Sequence, residues 1–299
     1  MREARVIQQE PQPMRRAPRA ALLPDGRRLH LQDGPIDLVV EATGSDEAVA
    51  VAYHAAVDRL TGLLDGLCAE LPLLRSPVTA DSPIPRDPVG RRMHEAVLPH
   101  AASGFITPMA AVAGAVAEAV LAAMVDAAPL ARAYVNDGGD IALHLEPGTR
   151  FAIGLVDRPD RPSLFARSNI HAADPVRGIA TSGRHGRSFS LGIADAVSVL
   201  AETAAGADAA ATIIANAVDL PGHPAIRRAA ARDLQPDSDL GDRLVTREVG
   251  RLEPDEIDLA LSRGLAVAER LVREGLITAA ALHLAGATTT TGAMALAAA

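Results

Sequence analysis

Tryptophan and lysine are missing from this 299-residue chain, cysteine occurs once, and the aromatic side chains amount to two Tyr and four Phe. With so few rings, alanine, valine and leucine must fill the core. The same scarcity argues against modules that read single-stranded nucleic acid by stacking bases on aromatic platforms. All 29 basic residues are arginine. Schiff-base and pyridoxal-phosphate chemistry, the loop lysine of phosphate-loop NTPases and the strand lysine of kinases are thereby excluded. Cys68 alone can form neither an intrachain disulfide nor a cysteine cluster for zinc or iron–sulfur, and it points to a reducing compartment.

Against those arginines stand 37 acidic residues, for a net charge of -8, which disfavours general adhesion to nucleic acid or to an anionic membrane. The N-terminus carries Arg2, Arg5, Arg15, Arg16 and Arg19 with Pro11 and Pro13 but no apolar signal core, so the expectation is no secretion signal and a cytoplasmic location. The longest apolar stretch, Met109 to Val125, is rich in Ala and Gly and interrupted by Glu118. It reads as a buried helix rather than a bilayer span. Neither nucleic acid nor membrane is expected as a partner.

Turn residues at Pro24-Asp25-Gly26 and Asp33-Gly34-Pro35 frame two strands between 20 and 41. Ser45 offers an N-cap for a helix from Asp46 to about Leu71. After a proline-rich stretch from Pro72 to Pro88, a second helix runs through His94 and Val97 and a third follows Pro108. Short strands are predicted at 133–135, 141–143, 151–156, 163–170 and 193–200, helices at 208–218 and 225–234, a strand near 244–246 and a helix over 255–273 led by Pro254. Two blocks, each of strands, a helical pair and further strands, suit an α+β fold with helices over antiparallel sheets. The predicted organisation is one domain over 1–285 made of two intertwined α+β subdomains. Thr288 to Thr291 and the alanine-rich end make 286–299 a low-complexity, mobile tail.

Four places carry candidate chemistry. Asn136-Asp137-Gly138-Gly139-Asp140 lies between two strands: a hairpin turn, whose paired glycines also let a ligand approach the backbone. Gly178-Ile179-Ala180-Thr181-Ser182-Gly183 reads as an ordinary loop or as a close approach to a phosphate or ribityl chain. Asp208, Thr212 and Asn216 recur at intervals of four, so a helix aligns them on one face. A carboxylate and a hydroxyl one turn apart suit magnesium, but equally an Asp serving the helix dipole and a Thr bonded to its preceding turn. His185 sits in Arg184-His185-Gly186-Arg187, where an imidazole can accept a proton and the guanidinium groups can meet phosphate, or where all simply face solvent. No histidine pair has helical zinc spacing.

In order, Pro108-Met109-Ala110-Ala111-Val112-Ala113-Gly114, Asn136 to Asp140, Ala180-Thr181-Ser182-Gly183, Ala194-Asp195-Ala196-Val197 and Ala207-Asp208-Ala209-Ala210-Ala211-Thr212 resemble the ApbE family of FAD:protein FMN transferases, and more closely its ApbE-like branch. The resemblance covers residues 104–218. It implies a tandem T-fold-like architecture with a flavin cleft between two units. In it the Ala180 carbonyl, Asp208 and Thr212 hold magnesium, Asn136, Gly138, Gly139 and Asp140 line the FAD pocket, and Thr181, Ser182 and Gly183 approach the diphosphate. Family members transfer FMN onto a threonine of an acceptor protein and release AMP. Their His-Ile-x-Asp-Pro segment is missing here, where Ser188-Phe189-Ser190-Leu191-Gly192-Ile193-Ala194-Asp195 stands instead, and His185 is the nearby catalytic candidate. Two readings follow: a magnesium-dependent, transferase-like enzyme acting on FAD or a related flavin nucleotide, or a non-catalytic flavin-binding or regulatory protein. A homodimer through exposed apolar helix surface is a further expectation.

Overall fold

Glycines at reversals set the opening meander. In this computed structural model, which describes residues 17–156, 163–292 and 294–296, Gly26 and Gly34 take φ of 67° and 58°. These left-handed values let the chain reverse between β1 (Arg19–Leu22), β2 (Leu29–Asp33) and β3 (Ile36–Thr43). Leu29, Leu31, Ile36, Leu38 and Val40 alternate inward and are buried.

Ser45 caps α1 (Asp46–Leu60), its hydroxyl accepting from the Ala48 amide at 3.2 Å. Ala48, Ala52, Ala56 and Leu60 form its buried stripe. The single helix expected to reach Leu71 is instead divided, because Gly62 at φ 77° turns the chain into α2 (Leu63–Ala69) and α3 (Leu71–Leu74). There follow α4 (Pro88–Val97), two 3-10 turns at Leu98–Ser103 and Pro108–Ala111, α5 (Val112–Ala127), β4 (Arg132–Asp137) and β5 (Asp140–Leu145). The second half contains β6 (Arg150–Val156), β7 (Leu164–His171), β8 (Gly178–Ser182), β9 (Ala196–Ala201) and α6 (Ala204–Ala217). It closes with β10 (Ile226–Ala230), α7 (Ala231–Leu234), β11 (Leu244–Val249), α8 (Pro254–Arg273), β12 (Ala279–Leu284), β13 (Ala287–Gly292) and β14 (Ala295–Leu296).

The fold is α+β. A nine-stranded antiparallel sheet runs β1-β2-β3-β4-β5-β8-β9-β12-β13, and β2-β3-β4-β5 and β8-β9-β12-β13 each bracket their helices in chain order. One face carries the helices. Against the other lies a three-stranded sheet, β14-β7-β6, whose contact with the large sheet includes Leu143, Leu155, Phe165, Ile170, Ile179 and Leu200. Strands β9 and β12 are buried along their whole length, covered on both faces, and are apolar but for Ser198 and His283. The stretch Pro108–Ala127 is long and apolar enough to cross a membrane. In the fold it lies among the helices, burying Gly114, Ala115, Val116, Val120 and Met124.

Further segments differ from expectation. Residues 226–230, expected as helix, form β10 against β11. Thr288 to Thr291, expected in a mobile tail, belong to β13, paired along β12 from Ala287 to Gly292; β-branched threonines suit a strand flank whatever their low complexity. Gly178 to Ser182 are a strand inside the sheet rather than a loop. Small residues are needed there because a Cβ on Gly178 would run into the Thr203 backbone. The arginine-rich residues 2–16 lie outside the described residues.

Candidate functional site

The seam between the two halves is the short ladder joining β5 to β8, where Ile141 faces Ile179 and Ala142 faces Gly178. Beyond it the strands part, and a side chain replaces the backbone ladder: the Thr181 amide donates to Asp140 Oδ1 at 3.1 Å. Asp140 stands there because the β4–β5 hairpin closes tightly. Asp137 pairs with Asp140, Gly138 and Gly139 turn at φ 66° and 115°, and the Gly139 amide donates to Asn136 Oδ1 at 2.8 Å. The hairpin expected from the sequence is therefore present, with Asn136 shaping it.

Asp208 reaches the same neighbourhood from α6. That helix begins four residues earlier than expected, at Ala204, with Thr203 as its N-cap accepting from the Gly206 amide at 3.1 Å. Asp208 does not serve the N-terminus of its own helix. It crosses to α5, where Ala111 provides no side-chain cap, and accepts from the Gly114 amide at 3.1 Å. Glu118 of α5 returns the arrangement by accepting from the Ala205 amide of α6 at 2.8 Å. The two helices thus cap each other. They meet closely because Gly114 has no side chain: a Cβ there would strike the Ala204 carbonyl.

Asp137, Asp140 and Asp208 share one electrostatic field. Burial raises the Asp137 carboxyl to about 6 against the pull of Arg187, whose Nη2 donates to Asp137 Oδ1 at 3.0 Å. Asp140 is raised to about 7, first by burial and then by the charge of Asp137, although the Thr181 amide and Arg187 oppose it. Asp208 is pushed well above the usual carboxylate range by burial and by the charges of Asp140 and Asp137, against the Gly114 amide. Asp140 and Asp208 nevertheless keep part of their surface open.

Thr181 Oγ1 lies 2.7 Å from Ser198 Oγ on β9, and Ser198 is fully buried. The carbonyl-bearing Ala180 is likewise fully buried, on a strand that packs beneath α6. Thr212 stands one turn beyond Asp208, and among the described residues its hydroxyl has no hydrogen-bond partner, so it is not spent on the preceding turn. Asn216 diverges from that face in role, its Oδ1 accepting from the Leu191 amide at 3.0 Å. Gly183, at φ 151°, lets the chain pass against the Asp195 backbone.

His185 is half-buried rather than solvent-facing, with Nε2 3.2 Å from Asp195 Oδ1. The same oxygen accepts from Arg184 Nε at 2.8 Å, and Asp195 Oδ2 accepts from the Ala285 amide at 2.6 Å. Asp137 and Asp195 were not singled out as site residues from the sequence. The available signal for Asp137 was the symmetric placement of two carboxylates around two glycines, and for Asp195 the motif Ala194-Asp195-Ala196-Val197; the contacts of Asp195 with residues at 184–185 and 285 are long-range and were not legible. Among the described residues no group of three or more His, Cys, Asp or Glu is disposed to hold a metal ion. A cation here would depend on hydroxyl, carbonyl and ligand oxygens beside Asp208.

A UPF0280 protein of Methanothrix thermoacetophila is 33% identical over 177 residues, covering 58% of this chain and 71% of that protein. One from Methanopyrus kandleri is 36% identical over 182 residues, covering 60% and 69%. With the UPF0280 protein of Methanococcoides burtonii the identity is 36% over 133 residues, covering 42% of this chain and about half, 51%, of that protein. Among solved structures, a histidine-to-glycine mutant of the flavin transferase ApbE from Vibrio cholerae overlays with a TM-score of 0.39 at 12% identity, covering 88% of this chain and 96% of that one. Residues 20–290 match the sequence model of the family described as AbpE bacteria, and with a match over most of its length this chain belongs to that ApbE-like family.

Proposed function

We propose that the seam between the two halves binds a flavin nucleotide, FAD or a close relative, together with magnesium, and that the chain acts on its diphosphate in the manner of a flavin transferase. The observation that carries this reading is that Asp140 from β5, which accepts from the Thr181 amide, and Asp208 from α6 are partly exposed carboxylates close enough for the charge of one to bear on the other. Membership of the ApbE-like family supports a flavin nucleotide as the ligand class. Asp208, the Thr212 hydroxyl and the Ala180 carbonyl would hold magnesium. They are hard oxygen donors, Thr212 is uncommitted, and the neighbouring carboxylates outnumber their cations. Bound there, magnesium supplies countercharge to the diphosphate.

The remaining roles belong to the chain itself. Gly138 and Gly139, held in their turn by Asn136, present bare backbone that a flat ring or a ribityl chain can approach closely. Thr181, Ser182 and Gly183 offer hydroxyls and a side-chain-free edge to the diphosphate. His185, oriented by Asp195, would take the proton of the attacking hydroxyl, whether from an acceptor protein or from water, as AMP leaves. A cytoplasmic location and a homodimer are kept as parts of this proposal.

The test is AMP release from FAD with magnesium, wild type against Asp208→Ala. Release that falls at least tenfold in the variant supports turnover at this site; equal release in both overturns it. A second reading, binding without turnover, is favoured by the sharing of Asp195 between His185 and Arg184. It is met if calorimetry detects saturable binding of FAD, FMN or ADP while no product forms. Absence of binding by all of them would sink both readings.

A further inference from the structure

Arg187 and Asp137 form an unequal pair across the seam. The arginine side chain is 58% exposed, whereas the carboxylate it meets is 7% exposed. Asp137 is fixed at the end of β4. Arg187 instead extends from the loop after β8, where Arg184 and His185 are held by Asp195. Its guanidinium lies directly over Gly138, where any Cβ would collide with it, so it covers the same bare backbone that the proposed ligand would approach. It also opposes the charge of both Asp137 and Asp140.

We infer that Arg187 is an exchangeable anion clamp: it rests on Asp137 across the glycine turn in the empty cleft and passes to a phosphate of the nucleotide when one binds. The exchange is inexpensive on the arginine side, because the guanidinium is already largely exposed to water where it rests. A guanidinium fork makes stronger, bidentate hydrogen bonds to phosphate oxygens. The move also uncovers Gly138. Asp137 thus parks the arginine near the cleft and competes with the ligand for it, which makes it a positioning residue whose removal acts opposite to removal of Arg187. This inference rests on the nucleotide reading of the cleft.

The experiment is calorimetric titration of the full chain with FAD and with ADP, in wild type, Arg187→Gln and Asp137→Asn, with thermal melts of all three. Loss of one charge-assisted contact predicts about tenfold weaker binding or more for Arg187→Gln. Asp137→Asn should bind as tightly as wild type or tighter, since its competing charge is gone. A merely structural ion pair would weaken binding in both variants alike, and that result overturns the clamp. So does unchanged affinity in Arg187→Gln while wild type binds well, an outcome that leaves the nucleotide reading standing. Wild type that binds neither FAD nor ADP removes the nucleotide reading and the clamp together.

Discussion

The two ends of the α5–α6 crossing use the same device with opposite electrostatic surroundings. At one end Glu118 caps α6 and its second oxygen meets Arg92 Nε at 3.0 Å. At the other Asp208 caps α5, and the charges that bear on it are those of Asp140 and Asp137. A carboxylate at a helix N-terminus is ordinarily a stabilising cap. Glu118 fits that description: burial pushes its carboxyl up, but the Ala205 amide and Arg92 both favour its charge. Asp208 sits in unbalanced negative charge, which folding alone would not favour and which a divalent cation would relieve. The surplus charge distinguishes the candidate site from a structural crossing of similar construction.

The crossing itself is the most sensitive point. Gly114→Ala, whose Cβ would meet the Ala204 carbonyl, should lower stability in urea unfolding by about 3 kcal/mol as the helices are pushed apart. Gly206→Ala, whose nearest neighbour is the Thr203 hydroxyl at 2.8 Å, should cost less than about 1 kcal/mol. Similar losses in the two variants would mean that close approach at Gly114 does not hold the halves together.

The pH dependence of stability separates the two ends next. For Asp137, raised to about 6, and Asp140, raised to about 7, the folded state binds protons more tightly than the unfolded state. This contribution is therefore fully present below about pH 4, where the unfolded carboxyls are also protonated, and is lost as pH rises through 6 to 7, by on the order of 2 kcal/mol after allowance for solvent screening. Thermal melts without divalent cation should show that decline. Magnesium should reduce it, and Asp140→Asn should flatten it. A melting temperature constant from pH 5 to 8 would contradict the account of the carboxylate field.

The smallest effect has the clearest sign. Glu118→Gln keeps an acceptor for the Ala205 amide but loses the charge facing Arg92, and should cost about 0.5–1 kcal/mol. Asp208→Asn keeps an acceptor for the Gly114 amide and removes a buried like charge, so at pH 8 it should be neutral or stabilising by about 1 kcal/mol. Equal destabilisation by the two would erase the distinction between structural and functional cap.

Much of this was legible in the chain. Pro254 at a helix start, the glycine pair between Asp137 and Asp140, and the four-residue spacing of Asp208 and Thr212 are local signals, and local geometry honours them. The start of α6 was misread because Ala204 to Ala207 carry no apolar periodicity, and β10 because its partner β11 lies almost twenty residues further on. The role of Asp208 as the cap of another helix could not be read, since its partner is 94 positions away. The contact between Arg187 and Asp137 was equally hidden, at a separation of 50.

Composition and short-range pattern by themselves determined an aliphatic core, an α+β layout and the absence of lysine chemistry. Each depends on residue type and on neighbours within a turn or two. Only the tertiary structure decided which carboxylates share a field, which arginine answers them and which acid is neutralised. The reason is that charge energies depend on distance and burial in space, and those are set when β5 meets β8 and α5 crosses α6.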